Sequence, residues 1–138
     1  MRIMGLDVGE KRIGIALSDQ MGWTAQGHSV LERSGLKADL HSLALICEEY
    51  EVEKIVLGFP LNMNGTVGPK GEEIKEFGQV LQEELALPID YWDERLTTVE
   101  AQRTLLEANV SRRKRKGLID KLAAMNILQA YLDRLAHK

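Results

Sequence analysis

The stretch from Gly5 to Asp19 constrains the fold more than any other part of the sequence. It reads GLDVGEKRIGIALSD, in which two apolar runs flank a short polar segment that follows Gly9. This pattern predicts two strands joined by a tight turn, with Asp7 at the end of the first strand. A lone carboxylate on an apolar strand is unfavourable to bury unless it has a partner, and a divalent cation is one such partner. The segment therefore predicts a metal or phosphate site at this strand end.

Composition sets the class of protein that this site belongs to. The chain has 138 residues, 44% of them hydrophobic, with a net charge of −3 and a single cysteine, Cys47. These values predict one domain over residues 1–138, with a real core and neither a disulfide nor a cysteine-rich zinc site. The small net charge gives no global sign of nucleic-acid binding, although a local basic patch would be hidden in the sum. No signal peptide or membrane span is evident, so we expect a cytoplasmic protein.

Hydrophobic periodicity predicts the element order βββαβαβαα. Strands are expected over residues 2–8, 12–18, 23–31, 54–59 and 89–92. Helices are expected over residues 36–50, 74–85, 97–108 and 118–137, the third opened by a capping box at Thr97 and Glu100. Residues 62–71 are expected to form a polar loop, and residues 111–117 a mobile basic segment. Short turns make the first three strands an antiparallel meander, whereas the strand at 54–59 follows a helix and is expected to run parallel to the first.

Acidic residues lie at the ends of three predicted elements. Asp7 closes the first strand, Asp93 and Glu94 close the last strand, and Asp120 lies in the first turn of the last helix. Ligands of open sheets gather beyond the carboxyl ends of parallel strands, so these acids are expected to converge there. Three carboxylates would suit Mg²⁺ or Mn²⁺, and two such ions roughly 3.5–4 Å apart can activate a water and stabilise the leaving oxygen in phosphodiester cleavage.

The acids of the first strand and the last helix each have an ordinary structural interpretation as well. Asp7 is also compatible with an aspartate that caps the backbone amides of its own turn. Asp120 also suits the positive end of a helix dipole without any metal. However, Asp120 shares a helical face with Ala123, Ala124 and Ile127, and small apolar neighbours let such a face approach the sheet. We therefore expect Asp120 to point inward.

The last strand leaves its choice of acid open. Side chains alternate along a strand, so at most one of Asp93 and Glu94 faces the site. Both faces of a parallel strand are covered, so alternation alone does not choose between them. Asp19 is a poor candidate, because the hairpin carries it to the opposite end of the sheet from Asp7.

These segments together resemble the YqgF/RuvX family, which is related to the RuvC Holliday junction resolvases. The matching segments occur in order and cover nearly the whole chain: GLDVG (5–9), GIALSD (14–19), GFPL (58–61), GT (65–66), DERLTT (93–98), EA (100–101) and DKLAA (120–124). The resemblance implies an α/β, RNase H-like fold, with a five-stranded mixed sheet in which the first three strands are antiparallel and the fourth and fifth parallel, flanked by helices. It also implies a nuclease-type acidic site and a role in maturing the precursor of 16S ribosomal RNA.

The resemblance assigns the acids by position. Asp7 and Asp120 match the metal acids of the first strand and of the C-terminal helix. Resolvases of the RuvC type place a glutamate on the strand that follows the first helix, whereas that strand here ends in VLGFP without an acid. The resemblance to the YqgF branch implies that Glu94 replaces it. Asp7, Glu94 and Asp120 are thus the implied catalytic residues and ligands of Mg²⁺ or Mn²⁺, with two ions expected.

Several polar residues are candidates for contacts to nucleic acid. The densest positive charge precedes Asp120 and consists of Arg112, Arg113, Lys114, Arg115 and Lys116. Such a run adds a salt-dependent, sequence-blind affinity for phosphates, although a solvated basic loop is the commoner case. The other candidates are Lys11, Arg12, Arg95 and Asn62, the last in a loop that equally suits an ordinary turn. Trp23 is a candidate for base stacking, whereas Trp92 and Cys47 are expected in the core.

The leading hypothesis is a metal-dependent endonuclease that acts on structured RNA, at the 5′ end of precursor 16S ribosomal RNA, as a monomer or weak homodimer without a membrane partner. A four-way DNA junction is the alternative substrate. A second hypothesis is a non-catalytic nucleic-acid-binding module. A third comes from the spacing Gly-x-Asp-x-Gly-x4-Gly, which also resembles the phosphate loop of actin-like ATPases. Those proteins need two such domains to enclose ATP, and this chain supplies one.

Overall fold

The computed structural model describes residues 1–96 and 112–137, with side chains from residue 118 onward in the second stretch. Five strands, β1 to β5, span Arg2–Val8, Arg12–Ser18, Ala25–Glu32, Val52–Phe59 and Ile89–Asp93. Three helices, α1 to α3, span Leu36–Glu49, Pro69–Leu85 and Arg112–Ala136. A short 3₁₀ turn, Glu94–Leu96, follows β5.

The strands form one mixed sheet in the order β3-β2-β1-β4-β5. β1 and β3 pair antiparallel with β2, β4 pairs parallel with β1, and β5 pairs parallel with β4. Short turns fold the first three strands into a meander, while α1 and α2 supply the crossovers that parallel strands require. The five-stranded mixed sheet implied by the resemblance is confirmed.

Alternation along β1 divides the core into two layers. Met4, Leu6 and Val8 pack with α1 and α2 in one apolar cluster, whereas Ile3 packs with α3 in a second cluster. Because successive side chains of a strand point to opposite faces, Asp7 lies on the same side of the sheet as Ile3 and α3. The fold is therefore helix on sheet on helix, and the Asp7 carboxylate lies in the layer between β1 and α3.

Glycines let α3 lie close against the sheet. A Cβ on Gly5 would lie 2.7 Å from the Cβ of Leu128, and a Cβ on Gly14 would overlap the carbonyl oxygen of Asp120. Gly14 is the cross-strand partner of Asp7 in the β1–β2 ladder. The close approach at Gly14 therefore brings the Asp120 turn of α3 over the end of β1.

Four predicted element starts were wrong. β4 begins at Val52 rather than at residue 54, and each of the other three has a local reason. β3 begins at Ala25 rather than at residue 23, because the Asp19 carboxylate accepts the backbone N–H groups of Trp23 and Thr24 at 2.7 and 3.3 Å and holds them in the turn. α2 begins at Pro69, inside the predicted loop, since proline is favoured in the first turn of a helix.

The fourth corrected boundary is the start of the last helix. α3 begins at Arg112, so residues 112–117, predicted as a mobile loop, are helical. Arginine and lysine are good helix formers, which a charge count alone does not reveal. The predicted third helix over residues 97–108, with its capping box at Thr97 and Glu100, lies outside the described residues.

Two side chains expected in the core lie there. Cys47 is buried in the cluster with α1 and α2, and Trp92 packs edge-on against Tyr131 in the cluster with α3. Trp23, by contrast, is 70% exposed in the β2–β3 turn, at the opposite end of the sheet from Asp7. It therefore lies away from the acids. Within residues 1–96 and 112–137, no helix combines the length and apolarity needed to cross a membrane.

Candidate active site

The structure chooses between the two acids at the end of β5. β5 pairs with β4 so that Trp92 lies beside Gly58, and Trp92 packs on the α3 side of the sheet. Glu94, two residues further, returns to that side and shares a hydrogen bond with the Asp7 carboxyl group. Asp93 instead forms an ion pair with Arg95, at 2.8 Å between Oδ2 and Nη2. Glu94, not Asp93, therefore lies beside Asp7.

Gly58 makes the space that the Glu94 side chain occupies. A Cβ at Gly58 would lie 2.6 Å from Oε1 of Glu94 and 2.7 Å from Cδ1 of Ile127. The end of β4 thus carries no side chain of its own on this side, and the carboxylate from the next strand reaches over it. A side chain at position 58 would occupy the place of the Glu94 carboxylate, so the lack of an acid on β4 and the presence of Glu94 go together.

Asp120 lies in the third turn of α3, because the helix begins at Arg112. The prediction that placed it in the first turn was wrong. A helix dipole acts mainly within the first turn, so the dipole does not account for this aspartate. The backbone of Asp120 lies over Gly14, and its Oδ2 accepts a hydrogen bond from Nε of Arg12 at 2.9 Å. The two side chains are 28% and 27% exposed.

The three acids form a half-buried cluster of negative charge. Burial raises the pKa of Asp7, and the charge of Asp120 raises it further. Burial also raises the pKa of Glu94 to about 7, with the Asp7 charge adding to the effect. Near neutral pH Glu94 therefore carries a proton for much of the time and donates it to Asp7 in their shared hydrogen bond. While Glu94 is protonated, the pair shares one proton and avoids the repulsion of two adjacent negative charges.

Lys70 is a site residue that the sequence analysis missed. It is the second residue of α2, and its positive charge opposes the rise in the pKa of both Asp7 and Glu94. Its side chain is exposed. The dipeptide Gly68-Pro69 is a helix-start signal that would have moved Lys70 from a loop to the first turn of a helix.

The donor set matches the chemistry of a divalent cation. Oxygen ligands suit Mg²⁺ and Mn²⁺, and raised pKa values at Asp7 and Glu94 reflect uncompensated charge in a half-buried place. As the described side chains stand, no three Asp, Glu, His or Cys groups are arranged around one cation position. Asp7 and Glu94 bond each other, and Asp120 bonds Arg12. The carboxylate oxygens are ligands of the kind that the cation prefers. In this structure they form hydrogen bonds with one another and with Arg12 instead.

The other residues predicted to bind nucleic acid differ in whether their side chains already form hydrogen bonds within the protein. Asn62 donates its Nδ2 to Oγ1 of Thr66 at 2.9 Å, inside a loop closed by a bridge between Leu61 and Val67. Arg95, besides its pair with Asp93, donates Nη1 to the carbonyl oxygen of Met63 at 3.3 Å. Asn62 and Arg95 therefore help to fix the loop that follows β4, and both are exposed.

Lys11 is exposed in the β1–β2 turn, next to Arg12. The basic run consists of Arg112, Arg113, Lys114, Arg115 and Lys116 and occupies the first turns of α3. Its backbone begins about 6 Å along the helix axis from Asp120 and extends to about 12 Å, at 1.5 Å per residue. The roles of these residues in nucleic-acid binding stay predictions.

The sequence analysis also missed an ion pair between a half-buried arginine, Arg33, and a buried aspartate, Asp39, beside the β1–β2 turn. Nη1 of Arg33 donates to the carbonyl oxygen of Gly9 at 2.7 Å, and Nε lies 3.5 Å from Oδ2 of Asp39, which is only 1% exposed. The backbone N–H of Arg33 donates to the carbonyl oxygen of Lys11 at 2.9 Å. Asp39 lies one turn from Leu43 on the apolar face of α1, and an acid on such a face signals a partner. The pair fixes the turn that follows Asp7.

Comparison with known proteins places the chain in a family. Residues 1–134 match the RuvX family, described as Holliday junction resolvase. A protein of Syntrophomonas wolfei named "Putative pre-16S rRNA nuclease" is 68% identical over 133 residues, covering 96% of this chain and 94% of that protein. A protein of the same name from Heliobacterium modesticaldum is 59% identical over 137 residues, covering 99% and 92%.

Solved structures share the fold at low sequence identity. Thermus thermophilus RuvC in complex with a Holliday junction substrate aligns with a TM-score of 0.59 at 14% identity, over 99% of this chain and 96% of that one. The Fowlpox virus resolvase in complex with Holliday junction DNA aligns with a TM-score of 0.61 at 15% identity, over 98% and 99%. The fold is thus that of the RuvC-type resolvases, and by its sequence the chain belongs to the RuvX family.

Proposed function

We propose that this chain is a metal-dependent endonuclease that cleaves phosphodiester bonds in structured RNA, at the 5′ end of precursor 16S ribosomal RNA. The observation that carries the proposal is the gathering of Asp7, Glu94 and Asp120 on one side of the sheet end. The family and the names of close relatives support the substrate.

Asp7, Glu94 and Asp120 are the residues that would hold one or two divalent cations. Cations held there would supply an activated water and would stabilise the leaving oxygen of the phosphodiester. Backbone packing positions each acid. Asp7 lies in the β1–β2 ladder, and Asp120 lies where α3 contacts Gly14. Glu94 occupies the space that Gly58 leaves open. No protein nucleophile is required for this chemistry.

The basic residues around the acids act on the substrate backbone. Lys70 lies close enough to Asp7 and Glu94 to shift their pKa values, so it can also lower the repulsion between these acids and a phosphate. The run from Arg112 to Lys116 adds the sequence-blind, salt-dependent part of the affinity. Structured RNA is then selected by shape, because the sequence-reading groups of a duplex lie in a groove that side chains do not enter.

The test is cleavage of a precursor 16S fragment that carries its 5′ extension, and of a four-way DNA junction, each with Mn²⁺ and with EDTA. We expect Mn²⁺-dependent cleavage of the RNA, with Asp7→Asn lowering the rate at least about 100-fold while RNA binding in EDTA is kept. Asp19→Asn is the matched control: it lies at the other end of the sheet, and asparagine keeps the oxygen that accepts the Trp23 amide.

The DNA junction is the second candidate substrate, favoured by the description of the family. Faster cleavage of the junction than of the RNA would move the activity to DNA. Binding of either substrate without any Mn²⁺-dependent cleavage by the unmodified protein would make the chain a binding module and would contradict the proposal. Unchanged cleavage by Asp7→Asn would contradict the assignment of the site.

A further inference from the structure

We propose that Arg12 takes the place of the cation at Asp120, and that cation binding releases its guanidinium to the phosphate backbone of the substrate. The inference rests on the proposed function, since it concerns the same site. Its consequence is that the divalent cation and the nucleic acid strengthen each other's binding through one side chain.

The contact between Arg12 and Asp120 is a single hydrogen bond that leaves most of the guanidinium free. Nε donates to Oδ2 at 2.9 Å, and within residues 1–96 and 118–137 no hydrogen bond of the two terminal nitrogens of Arg12 is present. Arginine has five N–H donors in a planar fork that matches a phosphate. The side chain is therefore held at its inner nitrogen while four N–H groups remain for an anionic ligand.

The backbone of Arg12 is fixed, so that only its side chain has to move. Its carbonyl oxygen accepts the Gly9 amide at 2.8 Å, and the next residue back, Lys11, is bonded through its carbonyl to the Arg33 amide. Arg12 begins β2 two residues before Gly14, on the side of the sheet that faces α3. Rotation about the side-chain bonds of Arg12 is therefore enough to move its guanidinium away from Asp120, while its backbone stays in place beside the acids.

Each part of the acidic cluster has its own source of positive charge in the absence of a cation. Lys70 acts on Asp7 and Glu94, and Arg12 holds Asp120. An ion pair about a quarter exposed at each side chain is only weakly favourable, so a doubly charged cation can displace the guanidinium. Once displaced, Arg12 faces a cation and needs a new anion, and a backbone phosphate supplies one.

Thermodynamic linkage makes the inference measurable. If Arg12 must leave Asp120 before the cation binds, removing Arg12 strengthens cation binding. If the released guanidinium then binds phosphate, the cation strengthens nucleic-acid binding by the same factor as the nucleic acid strengthens cation binding. Loss of Arg12 strengthens cation binding and also removes the gain in nucleic-acid affinity that the cation produces, a combination that a purely structural role or a simple phosphate contact would not produce.

The experiment measures Mn²⁺ binding to the metal-free full-length protein by calorimetry, without nucleic acid, for the unmodified protein and three variants. We expect Arg12→Gln to bind Mn²⁺ on the order of 3–10-fold more tightly. Arg12→Lys keeps the charge and is expected to return the affinity towards that of the unmodified protein. Lys11→Gln is the matched control: it removes the same charge from the adjacent residue, and we expect it to change Mn²⁺ affinity less than about twofold.

A second measurement follows the anisotropy of a labelled RNA hairpin in EDTA and in Ca²⁺, which shares the preference of Mg²⁺ for oxygen ligands. We expect Ca²⁺ to strengthen binding by the unmodified protein about fivefold or more, and Arg12→Gln to lose this gain. Lys11→Gln is expected to weaken binding by a similar factor in both buffers. Circular dichroism melting checks that each variant is folded at the assay temperature.

The outcomes separate this inference from the proposed function. Mn²⁺ affinity that is equal or lower in Arg12→Gln, or raised equally in Lys11→Gln, would overturn the role of Arg12 while leaving a nuclease that still cleaves. An unmodified protein that binds no Mn²⁺ would overturn both, because the acids would then not be a cation site. A Ca²⁺-dependent gain that persists in Arg12→Gln would overturn the coupling of the two ligands through Arg12.

Discussion

Each acid of the site is controlled by a different neighbour, and the differences are set at the level of single residues. Glu94 shares a hydrogen bond with Asp7, while Asp120 is paired with Arg12. Burial is the first cause of the raised pKa values of Asp7 and Glu94, so the fold holds these groups at a free-energy cost that a cation would relieve. We therefore expect the stability of the protein to depend on whether Asp7 and Glu94 are ionised.

The pKa of Glu94 predicts an unusual pH dependence of stability in EDTA. Its folded-state pKa is raised from 4.5 to about 7, so the folded protein holds this proton more tightly than the unfolded chain does. The contribution of Glu94 to stability is then most favourable below pH 4.5, falls as pH rises towards 7 and is level at higher pH. Between pH 5 and pH 8 we expect this group to lower the free energy of unfolding by on the order of 2 kcal/mol.

Urea unfolding of the metal-free protein and of Glu94→Gln at both pH values measures this contribution. Glutamine stays neutral and keeps a donor for Asp7, so the variant is expected to lack the loss, and the difference between the two proteins removes the contribution of all other groups. Stability differences that are the same at pH 5 and pH 8 would contradict the prediction. Saturating Mg²⁺ is expected to stabilise the unmodified protein most at pH 8, where the acids are ionised.

At the scale of elements, the site depends on how closely α3 approaches the sheet. Gly5 and Gly14 lie beneath the helix where a Cβ would meet atoms that cannot move independently, while the Cβ of Gly27 would meet only the Lys121 side chain. The closeness at Gly14 sets the distance between Asp120 and the end of β1. A change of one methyl group at that position is therefore a change in site geometry.

Gly14→Ala is predicted to displace the Asp120 turn of α3. The added methyl group overlaps a backbone oxygen, so we expect a loss of about 1–3 kcal/mol in unfolding free energy and a loss of Mn²⁺ affinity. Gly27→Ala is the matched control, since its Cβ would lie 2.6 Å from Cγ of a lysine that can swing aside. We expect its stability to change by less than about 1 kcal/mol, with Mn²⁺ affinity kept. Equal effects of the two substitutions would contradict a special role for the Gly14 contact.

At the scale of the whole molecule, the sheet separates two apolar layers with different tasks. The layer with α1 and α2 packs on the face of the sheet opposite the acids. The layer with α3 carries Asp120 and covers the face of β1, β2 and β4 on which the acids lie. Both layers contain fully buried leucines, such as Leu43 on α1 and Leu128 on α3. Substitutions in the layer with α1 and α2 should therefore lower stability without changing the site, whereas substitutions in the layer with α3 should change both.

Leu43→Ala and Leu128→Ala test this separation. Each removes a fully buried side chain, so each is expected to lower the unfolding free energy by about 2–5 kcal/mol. Only Leu128→Ala is expected to weaken Mn²⁺ binding at a temperature where both variants are folded, because only it loosens the helix that carries Asp120. A comparable loss of Mn²⁺ affinity in Leu43→Ala would mean that the site responds to overall stability and not to the α3 layer.

Local patterns predicted much of this arrangement, because they depend on neighbours in the sequence. Alternation and glycines predicted the β1–β2 hairpin and the position of Asp7 at its end. The small residues beside Asp120 predicted a helix face close to the sheet, which is where Ala124 packs. The helix start at Arg112 and the roles of Lys70 and Arg33 escaped these patterns, because charge composition resembles that of a loop and the partners are distant in sequence.

The sequence by itself determined the order along the chain of the five strands and the three described helices, the mixed sheet and the identity of the acids available at its end. The tertiary structure decided which of them meet. Alternation puts Asp93 and Glu94 on opposite sides of the strand without saying which side carries the site, and the pairing of β5 with β4 places Glu94 over Gly58, beside Asp7. Likewise, the pairing of Arg12 with Asp120 joins residues more than a hundred positions apart. Such contacts depend on the packing of one element over another, and periodicity within a single element does not encode that packing.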